Sequence, residues 1–311
     1  MLCSVGWSRQ EGFDGEQKDA TTRLPDMAAC PPSWLIVNTR SGSHSAAREE
    51  ELKHILAEQG LDCDLTVSFP DADLPSRSLL EESGIERVII FTGDGTANAA
   101  IAKLAGWGGE ILFLPGGTMN LLSGRLHGEE VEAEEILARV ARGACRRIRL
   151  PVIRCEKGDA FAGFLAGPGT AWANVREAMR DIDVAGLAEH TSDAVAETTY
   201  GARVRMTEPA HGRPEGYPLL EITPSGRGMQ VDAYCADDAA GYLQQGWALL
   251  RRRFREGPHE RLGLFDRVEI ANCEGQPLNV LLDGEPETLG PEAVLQLAET
   301  EVDLLATDHG Y

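Results

Sequence analysis

The segment Arg87–Asn98 has the sequence RVIIFTGDGTAN, and it decides how the rest of the chain is interpreted. Its first half is an uninterrupted apolar run with β-branched residues, which is typical of a strand buried on both faces of a sheet. The run breaks at Gly93-Asp94-Gly95, and the residues from Ala99 to Leu104 are mostly good helix formers. The pattern predicts a strand, a tight turn and a helix, and we name residues 93–96 the glycine turn.

The glycine turn has the features of a phosphate-binding site. It would place free backbone N–H groups and the positive end of a helix dipole at one point. Asp94 would repel a bare phosphate there, so its presence indicates a magnesium ion or a hydroxyl proton nearby. The alternative is an ordinary strand–helix turn with Asp94 as a helix cap. The spacing also misses the dinucleotide-binding fingerprint, because Asn98 stands at the third glycine position.

Size and charge limit the class of protein. The chain has 311 residues, enough for two domains with separate cores, and its 42% hydrophobic and 25% charged residues are typical of a soluble globular protein. The net charge of -21 argues against nucleic acid as a partner and against strong electrostatic attraction to anionic lipid. Any membrane contact is therefore expected to be local and apolar.

The cellular location is predicted from apolar runs and cysteines. No apolar run approaches the roughly 18 residues of a transmembrane helix, and residues 1–29 contain no secretory signal. The seven cysteines are scattered singly without a Cys-x-x-Cys pair, which fits reduced thiols better than disulfides or a zinc site. We expect a cytoplasmic protein that contacts membranes peripherally. Residues 1–30 are expected to be a loose extension, upstream of an alternative start at Met27.

The first half of the chain alternates between strand and helix patterns. Strands are predicted at 34–37, 63–68, 87–92 and 111–114, and helices at 45–59, 76–83, after the glycine turn and at 130–141. This alternation predicts a parallel sheet covered on both faces, where ligands bind beyond the carboxyl ends of the strands. The loops that start at Asn38, Ser68, Gly93 and Gly116 follow these strands, so we expect them to converge on one crevice.

The second half has a different pattern of short strands separated by turns. Strands are predicted at 149–154, 161–166, 202–207, 219–223, 228–234, 267–271, 277–283 and 302–307, and helices near 170–180 and 240–255. The predicted fold is a Rossmann-like α/β domain over 31–149, followed by a mostly antiparallel β domain over 150–300, either a β-sandwich or a partial barrel. Residues 301–311 are predicted to form a strand that returns to the first domain.

Four segments together resemble one family. They are NTRSG at 38–42, TGDGT at 92–96, PGGTMN at 115–120 and DGE at 283–285. Their order and approximate spacing resemble the diacylglycerol kinase catalytic family, which includes bacterial lipid kinases and the sphingosine and ceramide kinases. The similarity extends over roughly residues 33–307. The Asp-Gly turn alone is shared with NAD kinases and phosphofructokinases, whereas the PGGTMN loop and the late Asp-Gly-Glu make the match specific.

The resemblance implies ATP-dependent phosphorylation of a lipid hydroxyl with Mg2+. It implies that the domain over 31–149 binds the nucleotide, and that the domain over 150–300 lines a cleft between the two domains for lipid or another substrate. It implies roles for nucleotide-binding residues in four groups: Asn38, Arg40 and Ser68 at phosphate or ribose; Gly93, Asp94, Gly95 and Thr96 around the phosphates; Thr118 and Asn120 on the nucleotide; and Glu285 on the ribose or adenine side. The lipid at the membrane surface would be the partner. The sequence names neither the lipid nor the oligomeric state, and a homodimer stays open.

The chemistry of phosphoryl transfer agrees with this set of residues. Transfer requires neutralised phosphate charge, in-line positioning and a base for the attacking hydroxyl. Arg40 can bind phosphate in a bidentate manner. We assign Asp283 as the general base and Asp94 as the organiser of metal or phosphate, through a water molecule if not directly; the reverse assignment is nearly as good. Alone, Asp283-Gly284 would instead be read as a hairpin turn.

Three departures from the family pattern weaken parts of this assignment. Thr92 replaces a glycine, so the backbone would approach a ligand less closely there. The segment Asp237–Gly241 matches an accessory magnesium site only in part, and capping of a helix by its acids is the favoured alternative. The loop Gly167–Thr170 contains an unusual proline. His127, near the nucleotide loop, is expected to be a packing or surface residue rather than a catalyst.

Two rival functions stay open on the sequence. One is a kinase of the same architecture that acts on a soluble substrate such as NAD, although the PGGTMN loop stands where NAD kinases carry a different segment. The other is a non-catalytic module that binds nucleotide or lipid. Phosphorylation of NAD but of no lipid would select the first, and ATP binding without turnover on any lipid would select the second.

Overall fold

The computed structural model describes residues 30–40, 45–117, 119–171, 201–234 and 259–308. The expected extension before Cys30, the helix expected at 240–255 and the acids Asp237 and Asp238 lie outside these ranges. The helix expected at 170–180 also lies outside them beyond Ala171. The bounds below therefore refer to the described residues.

Strands and helices alternate in the first part of the chain. Their bounds are β1 (Ser33–Asn38), α1 (Ala46–Glu58), β2 (Leu65–Phe69), α2 (Arg77–Glu82), β3 (Arg87–Thr92), α3 (Asp94–Lys103), β4 (Glu110–Pro115), α4 (Leu121–His127), α5 (Ala133–Ala141) and β5 (Arg146–Ile148).

Short strands dominate the second part. Their bounds are β6 (Pro151–Cys155), β7 (Gly158–Ala160), β8 (Phe164–Ala166), a 3-10 turn (Pro168–Ala171), β9 (Val204–Glu208), β10 (Leu219–Ser225), β11 (Gly228–Tyr234), β12 (His259–Phe265), β13 (Arg267–Asn272), β14 (Leu278–Leu282), β15 (Glu285–Leu289), β16 (Glu292–Glu299) and β17 (Asp303–Ala306).

The α/β domain is built on one sheet with the order β2-β1-β3-β4-β17-β5. Its described strand pairs are parallel except for β17 with β5. The central strands β3 and β4 are buried except for Pro115 at the end of β4, because their continuous apolar runs face helices on both sides of the sheet. The chain moves from β1 outward to β2 and then returns to β3 on the opposite side. In open sheets this switch point between β1 and β3 is where a ligand crevice forms.

The β domain consists of two antiparallel sheets that share one core. Their orders are β12-β11-β10-β8-β14-β15 and β7-β6-β16-β13-β9. Phe164 and Leu220 from the first sheet pack in the same cluster as Ile270 and Leu295 from the second. The predicted fold class, a mostly parallel α/β domain followed by a mostly antiparallel β-sandwich, is therefore confirmed.

The sequence did not predict helix α4, and it misplaced several boundaries by two or three residues. The helix expected from Glu130 begins at Ala133, and the strand expected from Cys63 begins at Leu65. Helix α4 has seven residues with a glycine near its centre, which gives little periodic signal. Its first N–H groups are bonded to a side chain far back in the chain, described below. Strands β5, β7, β12, β15 and β16 were also not predicted.

His127 is a packing residue, as expected. Its side chain is buried at the end of α4, with Nε2 2.8 Å from the carbonyl oxygen of Phe113 and Nδ1 3.0 Å from the hydroxyl of Thr307. The imidazole therefore links α4 to β4 and to the residue after β17. Burial lowers the pKa of His127 to about 4, so the ring is neutral in the folded protein near pH 7.

Within the described ranges no helix is both long and apolar enough to cross a bilayer.

Candidate functional site

The loop after β1 meets the glycine turn at the switch point of the sheet. The Asn38 side chain donates from Nδ2 to the hydroxyl of Thr96 at 2.8 Å. Its Oδ1 accepts the backbone N–H of Arg40 at 2.9 Å, which shapes the loop. The backbone N–H of Thr39 donates to the carbonyl of Phe69 at 2.9 Å, so the end of β2 joins the same edge. Three of the four expected loops are thus fixed to each other by hydrogen bonds.

The fourth loop packs against the glycine turn through glycine backbones. A Cβ atom added to Gly117 would lie 2.6 Å from the Cα atom of Gly93, and one added to Gly116 would lie 2.6 Å from the backbone nitrogen of Thr92. Any side chain at these two positions would push the loops apart. Gly116 and Gly117 are therefore explained by the close approach of two chain segments, without reference to a ligand.

Gly95 differs from its neighbours, because nothing in the described fold requires a glycine there. It is exposed, its φ is outside the left-handed region, and a Cβ atom added to it would meet no atom within 4 Å. It lies in the first turn of α3, and glycine has a lower helix propensity than alanine. The open space before this turn is lined by backbone N–H groups at a helix start, which is an anion-binding arrangement.

The carboxylate of Asp94 caps a helix, but not its own. Its Oδ1 accepts the backbone N–H of Leu122 at 3.0 Å, and its Oδ2 accepts that of Leu121 at 3.2 Å. The side chain is 9% exposed. The capping alternative for Asp94 thus holds for α4, whose start is fixed beside the glycine turn. In the preceding loop, Asn120 has a φ of 50° and its Oδ1 accepts the N–H of Gly117 at 2.8 Å.

Asp283 lies in a tight hairpin between β14 and β15. Leu282 pairs with Glu285, so the connection is a two-residue turn, and Asp283 and Gly284 have φ values of 52° and 91°. Positive φ at both central residues is characteristic of a type I′ turn. The hairpin alternative is therefore correct for the backbone. It does not decide the role of the side chain, which points back into the protein and is 5% exposed.

The carboxylate of Asp283 receives hydrogen bonds from two parts of the fold. Its Oδ1 accepts the backbone N–H groups of Ala162 and Gly163 at 2.6 and 3.0 Å. Its Oδ2 accepts the backbone N–H of Phe161 at 2.8 Å and Nδ2 of Asn98 at 2.9 Å. A carboxylate offers about four lone-pair positions, and all of them are occupied here.

The two predicted acids therefore lie on one side of the molecule. Asn98, which bonds to Asp283, follows Asp94 by four positions on α3, and residues at that spacing are neighbours on a helix surface. The glycine turn, the start of α4 and the hairpin of the β domain meet around this helical turn. On the side of β1, the hydrogen-bonded pair Asn38 and Thr96 borders the same site.

The remaining predicted residues vary in position. Arg40 is exposed in the loop after β1, and Ser68 is half-buried near the end of β2, beside Val37 in the register of the sheet. Glu285 is exposed at the start of β15, two residues after Asp283. Thr118 lies outside the described residues. Thr92, at the glycine position of the family, is fully buried and donates its hydroxyl to the carbonyl of Gly93 at 3.1 Å, so it is used within the turn.

Sequence reasoning missed two side chains beside the site. The first is Asn98, whose position four residues after Asp94 was the available signal. The second is Arg125 on α4, which donates to the carbonyl oxygens of Pro151 at 3.0 Å and Pro224 at 3.3 Å, and to that of Phe161. Arg125 thus connects α4 to the β domain, and no local sequence pattern indicates these carbonyl partners.

The described residues contain no cluster of three or more histidine, cysteine or acidic side chains arranged to hold a metal. Mg2+ is usually held by one or two carboxylates together with substrate phosphates rather than by an all-protein cage. A single acid beside a phosphate-binding turn fits that requirement. Asp94 is the described carboxylate in this position, and both of its oxygens already accept backbone N–H groups.

Comparisons with known proteins agree with this architecture. A crystal structure described as that of a diacylglycerol kinase from Bacillus anthracis str. Sterne aligns with 89% of this chain and 97% of its own, at 13% identity and a TM-score of 0.57. Two further structures from that organism, described as candidate diacylglycerol kinases, give 16% identity with a TM-score of 0.59 and 15% with 0.56. They cover 91% and 88% of this chain and 97% and 96% of their own. At these identities the similarity is one of fold.

One family model matches part of the chain by sequence. A search of curated proteins finds no match. The family model of the diacylglycerol kinase catalytic domain matches residues 32–153, which include β1 to β4, the glycine turn and the loop before α4. Residues 32–153 of this chain are therefore similar in sequence to the diacylglycerol kinase catalytic domain.

Proposed function

We propose that this protein is an ATP-dependent lipid kinase that transfers the γ-phosphoryl group to a lipid hydroxyl with the help of Mg2+. The observation that carries the proposal is Gly95, a glycine in the first turn of α3 at a point where the described fold leaves room for a side chain. A position that costs helix stability and faces open space is best explained by a ligand that approaches the backbone closely.

The triphosphate would lie on the N–H groups at the start of α3. Backbone donors at a helix N-terminus, together with the helix dipole, favour an anion without a large side-chain contribution. Arg40, exposed in the adjacent loop, would add a cation that can bind phosphate oxygens in a bidentate manner. Asn38, Ser68, Thr96, Thr118, Asn120 and Glu285 would contact the rest of the nucleotide, as their family positions imply.

Asp94 would hold the metal ion or its hydration shell beside the phosphates. Each oxygen of Asp94 already accepts a backbone N–H group. Asp94 is therefore better suited to contact Mg2+ through a water molecule than to bind it directly. Bound Mg2+ would neutralise charge on the phosphates. The contribution of the protein is to keep Asp94 rigid, and its two bonds to the start of α4 do so.

Asp283 would accept the proton of the attacking hydroxyl. In this step the O–H bond of the lipid breaks, a new O–P bond forms, the bond from the γ-phosphorus to ADP breaks, and the proton moves to Asp283. The carboxylate is held on both oxygens by backbone N–H groups of residues 161–163, which fixes its orientation. A fixed base next to the phosphate site supplies the positioning that phosphoryl transfer requires.

The acceptor would enter from the side of the β domain. Asp283 belongs to a hairpin of that domain, yet its partner Asn98 belongs to the α/β domain, so a hydroxyl that reaches Asp283 lies where the two domains meet. The match of residues 32–153 to the diacylglycerol kinase catalytic domain supports a kinase reaction, and we extend it to a lipid as the phosphoryl acceptor.

The direct test is transfer of label from γ-labelled ATP in the presence of Mg2+. The acceptors are diacylglycerol, monoacylglycerol, a sphingoid base, ceramide and phosphatidylglycerol in detergent micelles, with NAD as the soluble alternative. Label on at least one lipid and none on NAD would support the proposal. Label on NAD alone would replace it with a soluble-substrate kinase. ATP binding with no labelled product would replace it with a non-catalytic module.

A further inference from the structure

The carboxylate of Asp283 has no free lone pair through which to receive a proton. Three of its four donors are backbone N–H groups of the consecutive residues Phe161, Ala162 and Gly163. These donors belong to one rigid connection and cannot leave individually. The fourth donor is the side-chain amide of Asn98, which rotates about its own bonds. Access of a substrate to Asp283 therefore depends on Asn98.

Asn98 is itself incompletely satisfied. Its Nδ2 donates to Asp283 at 2.9 Å, but its Oδ1 is buried and has no hydrogen-bond partner among the described residues. It is the only buried side-chain nitrogen or oxygen in the described part of the chain that lacks one. An unpaired buried acceptor is costly, and in native proteins such an atom calls for an explanation. A ligand that donates a hydrogen bond to Oδ1 of Asn98 would explain why this atom has no partner in the protein.

We propose that Asn98 is the positioning residue for the acceptor hydroxyl, which docks on Oδ1 of Asn98 and passes its proton to Oδ2 of Asp283 as the amide donor withdraws. The inference rests on the proposed kinase function and assigns a role that the four family segments do not contain. Before transfer, the hydroxyl donates its hydrogen bond to the amide oxygen. During transfer, its O–H bond breaks as the O–P bond forms, the bond from the γ-phosphorus to ADP breaks, and Asp283 takes the proton.

The arrangement has a consequence for selectivity between substrates. The amide oxygen of Asn98 accepts hydrogen bonds and cannot donate them, so it favours a substrate that presents an O–H group at this point. A ligand that places an ester oxygen there would bring two hydrogen-bond acceptors face to face, with no donor between them. Asn98 would thus act on the acceptor side of the reaction and not on the nucleotide side, and the two sides can be measured separately.

The test compares Asn98→Ala and Asn98→Asp with the wild type on the lipid of the panel that the wild type phosphorylates fastest. Asn98→Ala removes both the docking oxygen and the donor to Asp283. Asn98→Asp keeps an oxygen but replaces the donor with a second carboxylate. Asn272→Ala is the matched control, because it also removes an asparagine that makes a side-chain hydrogen bond. Oδ1 of Asn272 accepts the N–H of Glu274 at 2.9 Å in the turn after β13, and neither residue belongs to the candidate site.

The expected result has three parts. Asn98→Ala raises the KM for the lipid roughly tenfold, as expected for one lost hydrogen bond, and leaves the KM for ATP within about twofold. Asn98→Asp keeps an oxygen for the hydroxyl, so its KM for lipid stays closer to that of the wild type.

Other outcomes overturn the inference in distinguishable ways. If the wild type labels lipid but Asn98→Ala keeps the wild-type KM for lipid, the inference fails and the proposed function stands. If Asn98→Ala lowers Tm and changes the KM values for lipid and ATP equally, Asn98 has a structural role and the inference also fails. If the wild type labels no lipid, the proposed function fails and takes the inference with it.

Discussion

The side chain of Asn98 donates a 2.9 Å hydrogen bond to the carboxylate of Asp283, although 185 residues separate the two in the chain. Asn98 lies on the helix that follows the central strand of the α/β domain, and Asp283 lies in a hairpin of the β domain. The proposed base is therefore held by both domains at once. A relative shift of the domains would change its hydrogen bonding and hence its reactivity.

Asp94→Asn tests the acid of the glycine turn. We expect turnover to fall by about 100-fold or more, because the variant removes the charge that would organise the metal and phosphates. The protein should stay folded but lose about 1 to 3 kcal/mol of stability, since an amide has one acceptor oxygen and one N–H group of α4 loses its partner. Steady-state kinetics and denaturant unfolding measure the two effects. Full activity in this variant would remove Asp94 from the mechanism.

Gly117→Ala tests the contact between the loop before α4 and the glycine turn. The new Cβ atom would lie 2.6 Å from the Cα atom of Gly93, so the loops must separate. We expect a loss of about 1 to 3 kcal/mol in the free energy of unfolding and a weaker affinity for ATP. Chemical denaturation and calorimetric titration with a non-hydrolysable ATP analogue would measure these changes. Unchanged stability would mean that the two backbones are not in contact.

Arg40→Ala tests the proposed cation of the phosphate site. Because Arg40 is exposed beside the glycine turn, its loss should raise the KM for ATP about tenfold or more and leave the stability nearly unchanged. The wild-type affinity should also fall with added salt more steeply than that of the variant. Arg146→Ala, an exposed arginine on β5, is the control and should behave as the wild type. Equal ATP dependence in the two variants would exclude a phosphate contact by Arg40.

The folded protein should lose stability in mild acid because of His127. Burial lowers the pKa of His127 from 6.5 to about 4, so protonation favours the unfolded chain. The contribution of neutral His127 is complete above pH 6.5 and is lost as the pH falls toward 4, by up to about 3 kcal/mol. Urea unfolding across this range should show the decline, and His127→Gln should reduce it. His54→Gln, at an exposed histidine, should keep the wild-type slope; equal slopes in all three proteins would contradict the prediction.

The parallel sheet and the glycine turn were predictable from sequence, because they depend on local patterns, whereas the strand order that makes the switch point was not. The continuous apolar run of β3 and the break at Gly93 specify a buried strand and a turn without information from elsewhere in the chain. The carboxyl ends of parallel strands then meet at one edge by topology alone. This is why the predicted loops at Asn38, Gly93 and Gly116 lie together in the structure.

The partners of the polar side chains were not predictable, because they are distant in the chain. Asp94 bonds to Leu121 and Leu122, 27 and 28 residues later, and thereby specifies a helix that has little periodic signal of its own. The sequence also does not distinguish the glycines of the glycine turn from those of the loop before α4. The structure separates them, since Gly117 is required by contact with the backbone of Gly93 whereas Gly95 faces open space.

Phosphoryl transfer by Gly95→Ala tests the central claim most directly, with Gly108→Ala as its matched control. Both glycines are exposed, neither has a positive φ, and an added Cβ atom at either would meet nothing within 4 Å, but Gly108 precedes β4 at the opposite end of the sheet. The account predicts that both variants keep or exceed the wild-type Tm, that Gly108→Ala transfers label from γ-labelled ATP to lipid at the wild-type rate, and that Gly95→Ala loses most ATP affinity and transfer. Wild-type ATP affinity and transfer in Gly95→Ala would contradict it.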